Sequence, residues 1–376
     1  MSKATVIPPS PPNVALLVDM DVYVRLGSIV RHICVGMMDE GVRLTVIARA
    51  EKYPSGESIG PSRVICFPQH RLPWRRTTPD AIREAIGARP DIVHTLSTEL
   101  MSWARPFAAE WNSVLLTHVT DPDEIRRLGK MPLQMPAHVV ATTDALHHRI
   151  TTLAPQMANR VHTIPLGMPC EKEPACLARP ERVPAVVVTV PLVRRCGVET
   201  VLLAMRDIVN QGQEAQLFVL ADGPMLWALR RQAEQLELRP YVTFAGRMSD
   251  WGAQREAMRG GDFLIIPSGG ERYSISTMTA MAAGLAVIAP TTTEAPYLID
   301  GQTASLYPPD KPDGLRDCWK ALLDDHTRAR RLAHGGLDYI RSHHQASAMV
   351  TALGKLYREL NEARLASAAT TTATVS

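Results

Sequence analysis

A carboxylate placed directly after two glycines can do chemistry that neither residue type does alone. Ser268-Gly269-Gly270-Glu271 follows the apolar run Phe263–Ile266 and precedes a stretch, from about Ser276 to Ala283, of small uncharged residues. Glycine lets a ligand approach the backbone, and amides at a following helix start favour anions. A nucleotide or another phosphate-bearing ligand fits this pattern, and so does an ordinary strand-to-helix turn. Leu26-Gly27-Ser28 reads as a comparable turn after the first strand, with the same two meanings. Arg194 and Arg195 sit in another loop, and a guanidinium suits phosphate geometry. They could equally be surface arginines. His118 ends the run LLTHVTD, with Asp121 close enough in sequence to orient it. His94, in DIVHTLS, reads as a packed strand-end histidine, and His147-His148 as solvated helix surface.

These residues need elements to hold them. Val14–Val18 is an apolar run. Ile29, Val30, Ile33, Cys34, Met37 and Met38 follow at helical spacing, Gly41 stops that helix, and Leu44–Ala48 is a second run. Strand, helix and strand within about 35 residues make a βαβ unit with a parallel sheet. Further strands are expected at Val64–Phe67, Ile92–His94, Val114–Thr117, Val139–Thr142 and Val161–Ile164. Five prolines then crowd PLGMPCEKEPACLARPERVP, after which the alternation restarts at Ala185–Val190, Gln216–Ala221, Tyr241–Ala245, Phe263–Ile266 and Ala286–Ala289. The expected organisation is therefore a flexible N-terminus over 1–12, an α/β domain over 13–165 and a Pro-rich linker over 166–184. A second α/β domain covers 185–345, a C-terminal helix 346–366 and a disordered tail 367–376. A final helical stretch from about Arg328 to Leu365 is expected to break near Ser342–His344.

Composition narrows the function classes. With 376 residues, 45% hydrophobic and 21% charged, the chain is globular and long enough for two cores. A net charge of +3 does not mark a nucleic-acid partner. The six cysteines show no CxxC pair or zinc spacing, so reduced thiols and no metal are expected. MSKATVIPPSPPN has no signal-peptide apolar run, and no segment reaches the ~18 apolar residues of a membrane span. A cytoplasmic location follows as the expectation. HRLPWRR at 70–76 and EIRRLGKMPLQM at 124–135 mix basic and apolar residues, suiting either weak peripheral contact with anionic lipid or solvated surface.

From Val187 to about Pro309 the sequence resembles the donor-binding domain of GT-B retaining glycosyltransferases of the family 4 type. The motifs that carry the resemblance are LFVLADGPMLWALRRQAEQLELRPYVTFAGRMSD, DFLIIPSGGERYSISTMTAMAAGLAVIA and LIDGQTASLYPPD. The first half is similar through LGSIVRHICVGMMDEGVRLTVIARA, DIVHTLS, LLTHVTD, VVATTDAL and RVHTIPLGM. The resemblance implies an α/β GT-B fold, two Rossmann-like domains whose parallel sheets face each other across a cleft. It also implies a nucleotide-sugar donor, an unidentified acceptor hydroxyl, and no metal or other cofactor.

Carried onto this sequence, the resemblance makes Glu271 and His118 the catalytic candidates. Gly27, Ser28, Arg194, Arg195, Asp222, Gly223, Ser268, Gly269, Gly270 and Thr279 become the donor-binding ones. The family supplies an arginine and a lysine against the departing diphosphate, and a second glutamate eight positions after the first. Here those positions read Pro191, Cys196 and Thr279. Ala221 in ADGP, Thr292-Thr293 and Gly27-Ser28 also replace family glycines. Arg194 or Arg195, or Arg272 beside Glu271, could substitute for the missing cations. The first expectation is a retaining glycosyltransferase. The alternative is a catalytically degenerate GT-B protein that binds a sugar, a nucleotide or a protein partner, and a GT-B epimerase or phosphorylase is a third.

Overall fold

The computed structural model describes residues 10–50, 52, 53, 56–67, 79–120, 124, 125, 128, 137–179, 181–248, 251–268, 274–293 and 295–375. The chain divides into two compact units, Met1–Gly167 with Ala346–Ser376, and Met168–Gln345.

The first unit is built on strands β1 (Asn13–Asp19), β2 (Arg43–Arg49), β3 (Ser58–Ile59), β4 (Ser62–Cys66), β5 (Ile92–Thr95), β6 (Val114–Val119), β7 (Ala137–Ala141) and β8 (Val161–Thr163). Their spatial order is β3-β4-β2-β1-β5-β6-β7-β8. β3 runs antiparallel to β4 and the other pairings are parallel. Parallel strands are covered on both faces and so read as unbroken apolar runs; Val14 to Val18 are all buried. The order turns back between β1 and β5, the switch point at whose carboxyl ends open α/β sheets bind ligands.

Helix α1 (Met20–Gly36) starts immediately after β1, because the Asp19 carboxylate accepts the Val22 N–H at 2.9 Å and caps it. Val22, Tyr23, Leu26, Ile29, Val30 and Ile33 form its buried stripe. Gly27 and Ser28 therefore lie in the middle of α1, with Gly27 buried, and not in a turn after β1. The helix begins at Met20, about two turns before the glycine, so the glycine cannot mark the helix start. Helices α2 (Pro79–Ile86), α3 (Met101–Trp111) and α4 (Asp144–Leu153) complete the alternation in this unit.

The second unit repeats the plan with β9 (Ala185–Val188), β10 (Gln216–Val219), β11 (Val242–Phe244), β12 (Phe263–Ile265), β13 (Ala286–Pro290) and β14 (Ala304–Tyr307). The order β11-β10-β9-β12-β13-β14 is parallel throughout and turns back between β9 and β12. Its helices are α5 (Val198–Asn210), α6 (Leu226–Gln235), α7 (Trp251–Arg259), α8 (Ile275–Ala282), α9 (Gly314–Asp324) and α10 (His326–His343).

The proline-rich stretch does not hang free as a tether. Its backbone bonds to the second unit through Glu171 N–H to Ala282 O, Ala175 N–H to Ala283 O and Cys176 N–H to Gly284 O. Asp262, 2% exposed, then accepts from Leu177 N–H at 2.7 Å, Ala185 N–H at 2.7 Å and the Arg182 guanidinium at 2.8 Å. One buried carboxylate thus ties the incoming chain to the first strand of this sheet.

After α10 the chain breaks at His344 and Gln345 and re-enters the first unit as α11 (Ala346–Val375). Val350 packs where a side chain at Gly36 would otherwise stand, Thr351 Oγ1 donates to Glu40 at 2.7 Å, and Arg364 pairs with Asp91. Where sequence predicts disorder from 367, the α11 backbone stays helical to Val375. Ala366, Ala368 and Ala369 favour that continuation, alanine being the best helix former. Among the described residues no helix is long and apolar enough to cross a membrane.

Candidate functional site

In the second unit, three loops leave the carboxyl ends of β9, β10 and β12 and are drawn together by backbone contacts. Leu192 N–H donates to Asp222 O at 3.1 Å and Met225 N–H to Leu192 O at 2.9 Å, which zips the first loop to the second. Gly223 has φ +155, and a Cβ there would stand 2.5 Å from Leu192 O. Gly197, at φ +81, is pressed against the third loop in the same way, since its Cβ would meet Pro267 O at 2.6 Å. Both positions need glycine, for left-handed backbone and for closeness alike. Arg194, Arg195, Asp222, Gly223 and Ser268 are consequently brought to one end of one sheet, beside its switch point.

The electrostatics of this end come from backbone and from two exposed cations. Gly197 caps α5 without a side-chain hydrogen bond, so the helix presents its positive N-terminal end there. Arg194 and Arg195 are exposed and form no ion pair among the described residues. Arg195 is held at φ +62, a left-handed conformation for a residue with a side chain. Cys196 faces inward, 4% exposed, with its thiol 3.7 Å from Glu199 Oε2. Burial pushes that thiol above its ordinary range, against the lowering effect of the Val198 amide. Asp222 turns its carboxylate onto the Gly223 amide at 2.7 Å.

The third loop is pinned at both ends by tyrosines. The Tyr307 hydroxyl donates to Pro267 O at 3.1 Å and Ile266 O at 3.3 Å, and the Tyr297 hydroxyl accepts the Ser274 N–H at 2.8 Å. Both tyrosines are buried. Between those pins, Gly269, Gly270, Glu271, Arg272 and Tyr273 lie outside the described residues. Ser274 caps α8 by accepting the Thr277 N–H. Thr279, half-buried on α8, donates its hydroxyl to Ile275 O at 2.8 Å in its own helix. Thr293, after β13, buries a hydroxyl that has no partner among the described residues.

In the first unit, His118 is the penultimate residue of β6, with its ring fully buried. Parallel pairing sets His94 opposite Leu116, two residues before His118, so both histidines face the same side of the sheet. His94 Nε2 lies 2.9 Å from His118 Nδ1, and His94 Nδ1 lies 2.6 Å from the hydroxyl of Tyr357 on α11. His118 Nε2 is buried and unpartnered among the described residues. Burial lowers the His118 imidazolium pKa to about 3, and lowers that of His94 well below 6.5 with help from His118. Both rings are therefore neutral at physiological pH. His94 is the packed histidine that its position suggests, and it is also the link between His118 and the chain's last helix.

Other expected residues are placed differently. Gly27 and Ser28 stand inside α1, away from any strand-end turn. His147 is not free surface, because its Nδ1 meets Thr163 Oγ1 at 2.9 Å. Asp121, the 70–76 stretch and most of 124–135 lie outside the described residues. Sequence reasoning did not find Tyr297, Tyr307 or Tyr357, since nothing local marks a tyrosine whose partner is 23, 40 or 263 residues away. It also did not find Asp19 and Arg49, which end β1 and β2 as an ion pair at 3.0 Å with Arg49 lying over Trp103. Among the described residues no group of three or more His, Cys, Asp or Glu side chains could hold a metal ion.

Comparison with known proteins adds the following. Residues 26–172 match Glycosyltransferase Family 4, and residues 184–325 match Glycosyl transferases group 1. A phosphatidyl-myo-inositol mannosyltransferase of Mycobacterium tuberculosis is 34% identical over 148 residues, covering 38% of this chain and 38% of that protein. An alpha-monoglucosyldiacylglycerol synthase of Streptococcus pneumoniae is 30% identical over 93 residues, covering 25% and 21%. The matched stretches thus span well under half of these relatives. Among solved structures, sucrose-phosphate synthase from Thermosynechococcus elongatus superposes with TM-score 0.72 at 19% identity, covering 94% of this chain and 100% of that one. HepE of Anabaena in complex with UDP-glucose gives 0.72 at 14%, covering 92% and 99%.

Proposed function

Because the chain has the GT-B fold and is built of a Glycosyltransferase Family 4 domain followed by a Glycosyl transferases group 1 domain, we propose that it transfers a sugar from a nucleotide-sugar donor to an acceptor hydroxyl with retention of configuration. The observation that carries this reading is the convergence of the loops after β9, β10 and β12 on the start of α5, which has no side-chain cap, beside two arginines that form no ion pair among the described residues. The donor diphosphate would lie against the α5 amides, with Arg194 and Arg195 in place of the family's usual cations. Charge building up on the departing diphosphate is then met by donors already in position. Glu271 would accept hydrogen bonds from the sugar, and His118 stands as the first unit's own catalytic candidate.

The HepE complex with UDP-glucose supports a nucleotide-sugar as the donor class. The names of the two curated relatives support an acceptor hydroxyl on a lipid headgroup. Such an acceptor suits weak peripheral membrane contact through the basic stretches at 70–76 and 124–135.

Thermal unfolding against a panel of nucleotide sugars and nucleoside diphosphates tests the donor. A ligand that binds only the folded state adds about 2.7 kcal/mol at a hundredfold excess over Kd. One donor should shift the transition, Arg195→Ala should weaken its binding by about 1.5–3 kcal/mol, and Glu271→Ala should abolish transfer. No shift with any donor at millimolar concentration would overturn the proposal.

A second reading, a GT-B module that binds without turnover, draws on Cys196 and Thr279. The first buries its side chain and the second spends its hydroxyl on its own helix. That reading expects a selective shift with no transfer to any acceptor, or a protein partner in place of the donor.

A further inference from the structure

In the second unit, helix α6 and strand β11 carry a protruding ring beside an open groove. Trp227 is 75% exposed. Its ring is nevertheless held from one side, because the Arg230 guanidinium lies 5.4 Å from its centroid and 5.8 Å from that of Phe244, and donates to Phe244 O at 3.5 Å. The groove next to it has a volume of about 210 Å³, with Ala233, Val242 and Phe244 as its apolar lining and Arg230, Glu234 and Arg239 as its polar lining. β11 is the outermost strand of its sheet.

Size and charge narrow what this face can take. Ligand pockets usually run to ~300–1,000 Å³, and this groove is smaller, suited to one aromatic side chain. The exposed stripe of α6 reads Trp227, Arg231 and Glu234 at i, i+4 and i+7, and Glu237 and Arg239 are exposed just beyond the helix. Both signs alternate along it. A uniformly anionic partner, such as a membrane or a nucleic acid, would be repelled by Glu234 and Glu237. A surface carrying the same alternation in reverse would be matched.

We infer that this face pairs with a second copy of the chain across a twofold axis, each copy's Trp227 entering the other's groove. A twofold contact sets one face against itself, so that residue i meets j and j meets i. With the axis between Arg231 and Glu234 the two α6 helices run antiparallel, and Arg231 of each copy faces Glu234 of the other. Trp227, one turn before Arg231, then falls at the far end of the other copy's α6, where Arg239 and Val242 line the groove. One operation therefore matches ring to groove and guanidinium to carboxylate. A tryptophan in a desolvated pocket beside arginine is the usual anchor of such a contact. Because Arg230 already holds the ring, little side-chain freedom is lost on docking. The inference does not depend on the proposed glycosyl transfer.

Sedimentation of the full-length protein over a micromolar concentration series tests it without substrate. The expected result is a monomer–dimer equilibrium. Trp227→Ala should weaken the dimer by about a hundredfold, since the anchor is lost twice in a twofold contact. Arg231→Glu should weaken it by about tenfold or more by setting carboxylate against carboxylate. Combining Arg231→Glu with Glu234→Arg should restore it, a rescue that a general loss of folding cannot produce. All three positions are exposed, so the fold does not rest on them. A monomer at every concentration would overturn the inference, and so would a dimer that survives Trp227→Ala or is not restored by the exchange of charges. A monomer that binds phosphatidylglycerol vesicles through Trp227 would overturn it in favour of a membrane contact.

Discussion

Acidification should loosen the first unit through its two enclosed histidines before the carboxylates titrate. In an unfolded chain each histidine protonates near pH 6.5, whereas in the folded unit burial holds His118 at about 3 and His94 well below 6.5. Between those limits the unfolded state binds more protons, so stability is complete above about pH 6.5 and is lost as pH falls toward 3. At pH 5 each histidine lies about 1.5 pH units below its unfolded pKa, which costs about 2 kcal/mol at 1.36 kcal/mol per unit. The pair should therefore remove about 2–4 kcal/mol, the lower figure applying if the two rings accept one proton between them. Among the described residues the titratable groups facing the pair are Tyr357, whose own pKa burial raises above the ordinary phenol range, and beyond it Cys34, raised to about 12. Neither offers a negative charge that would rescue an imidazolium. Amide hydrogen exchange at pH 7 and pH 5, corrected for intrinsic rates, reads the effect in peptides spanning β5 and β6. Replacing one member by His94→Gln should cut the pH dependence by about half. Protection of those strands that is equal at the two pH values, within about 0.5 kcal/mol, would refute the reasoning that the rings are neutral and enclosed.

Gly223→Ala should destabilise the second unit by about 1–3 kcal/mol in urea unfolding, because its backbone is left-handed and the new methyl would meet Leu192 O. The same variant should weaken any nucleotide-sugar thermal shift, since the first and second loops would part. Asp262→Ala strands the Arg182 guanidinium and two backbone amides, and should cost about 3–5 kcal/mol in the same assay. Thr279→Glu gives up only a bond within α8, so it should fold, and it should enlarge the thermal shift with nucleoside diphosphates by offering a carboxylate to the ribose hydroxyls. An unchanged shift would count against Thr279 standing at the ribose.

The sequence by itself determined the alternation of elements and the fold. Strands buried on both faces must be continuous apolar runs, and Val14–Val18, Ala185–Val188 and Phe263–Ile265 announce themselves for that reason. The position of Arg194, Arg195, Asp222, Gly223 and Ser268 in loops at strand carboxyl ends was legible too, because the apolar runs before them fix where each strand stops. Gly27-Ser28 misled because a glycine that opens a turn and one that lies inside a helix have the same local signature. The earlier cue was Asp19, whose carboxylate starts α1 at Met20.

What only the tertiary structure decided are the contacts between residues far apart in the chain. The proline-rich stretch looks like a tether until Asp262 is seen holding Leu177, Arg182 and Ala185 together. The last helix looks like an appendage until Tyr357 is found on His94, 263 residues earlier. A hydrogen bond depends on a distance of about 3 Å, and nothing in the residue types records which distant segment will supply the partner. Sequence could place His118 near the end of a strand, but the neutrality of its ring follows from burial, which folding alone creates.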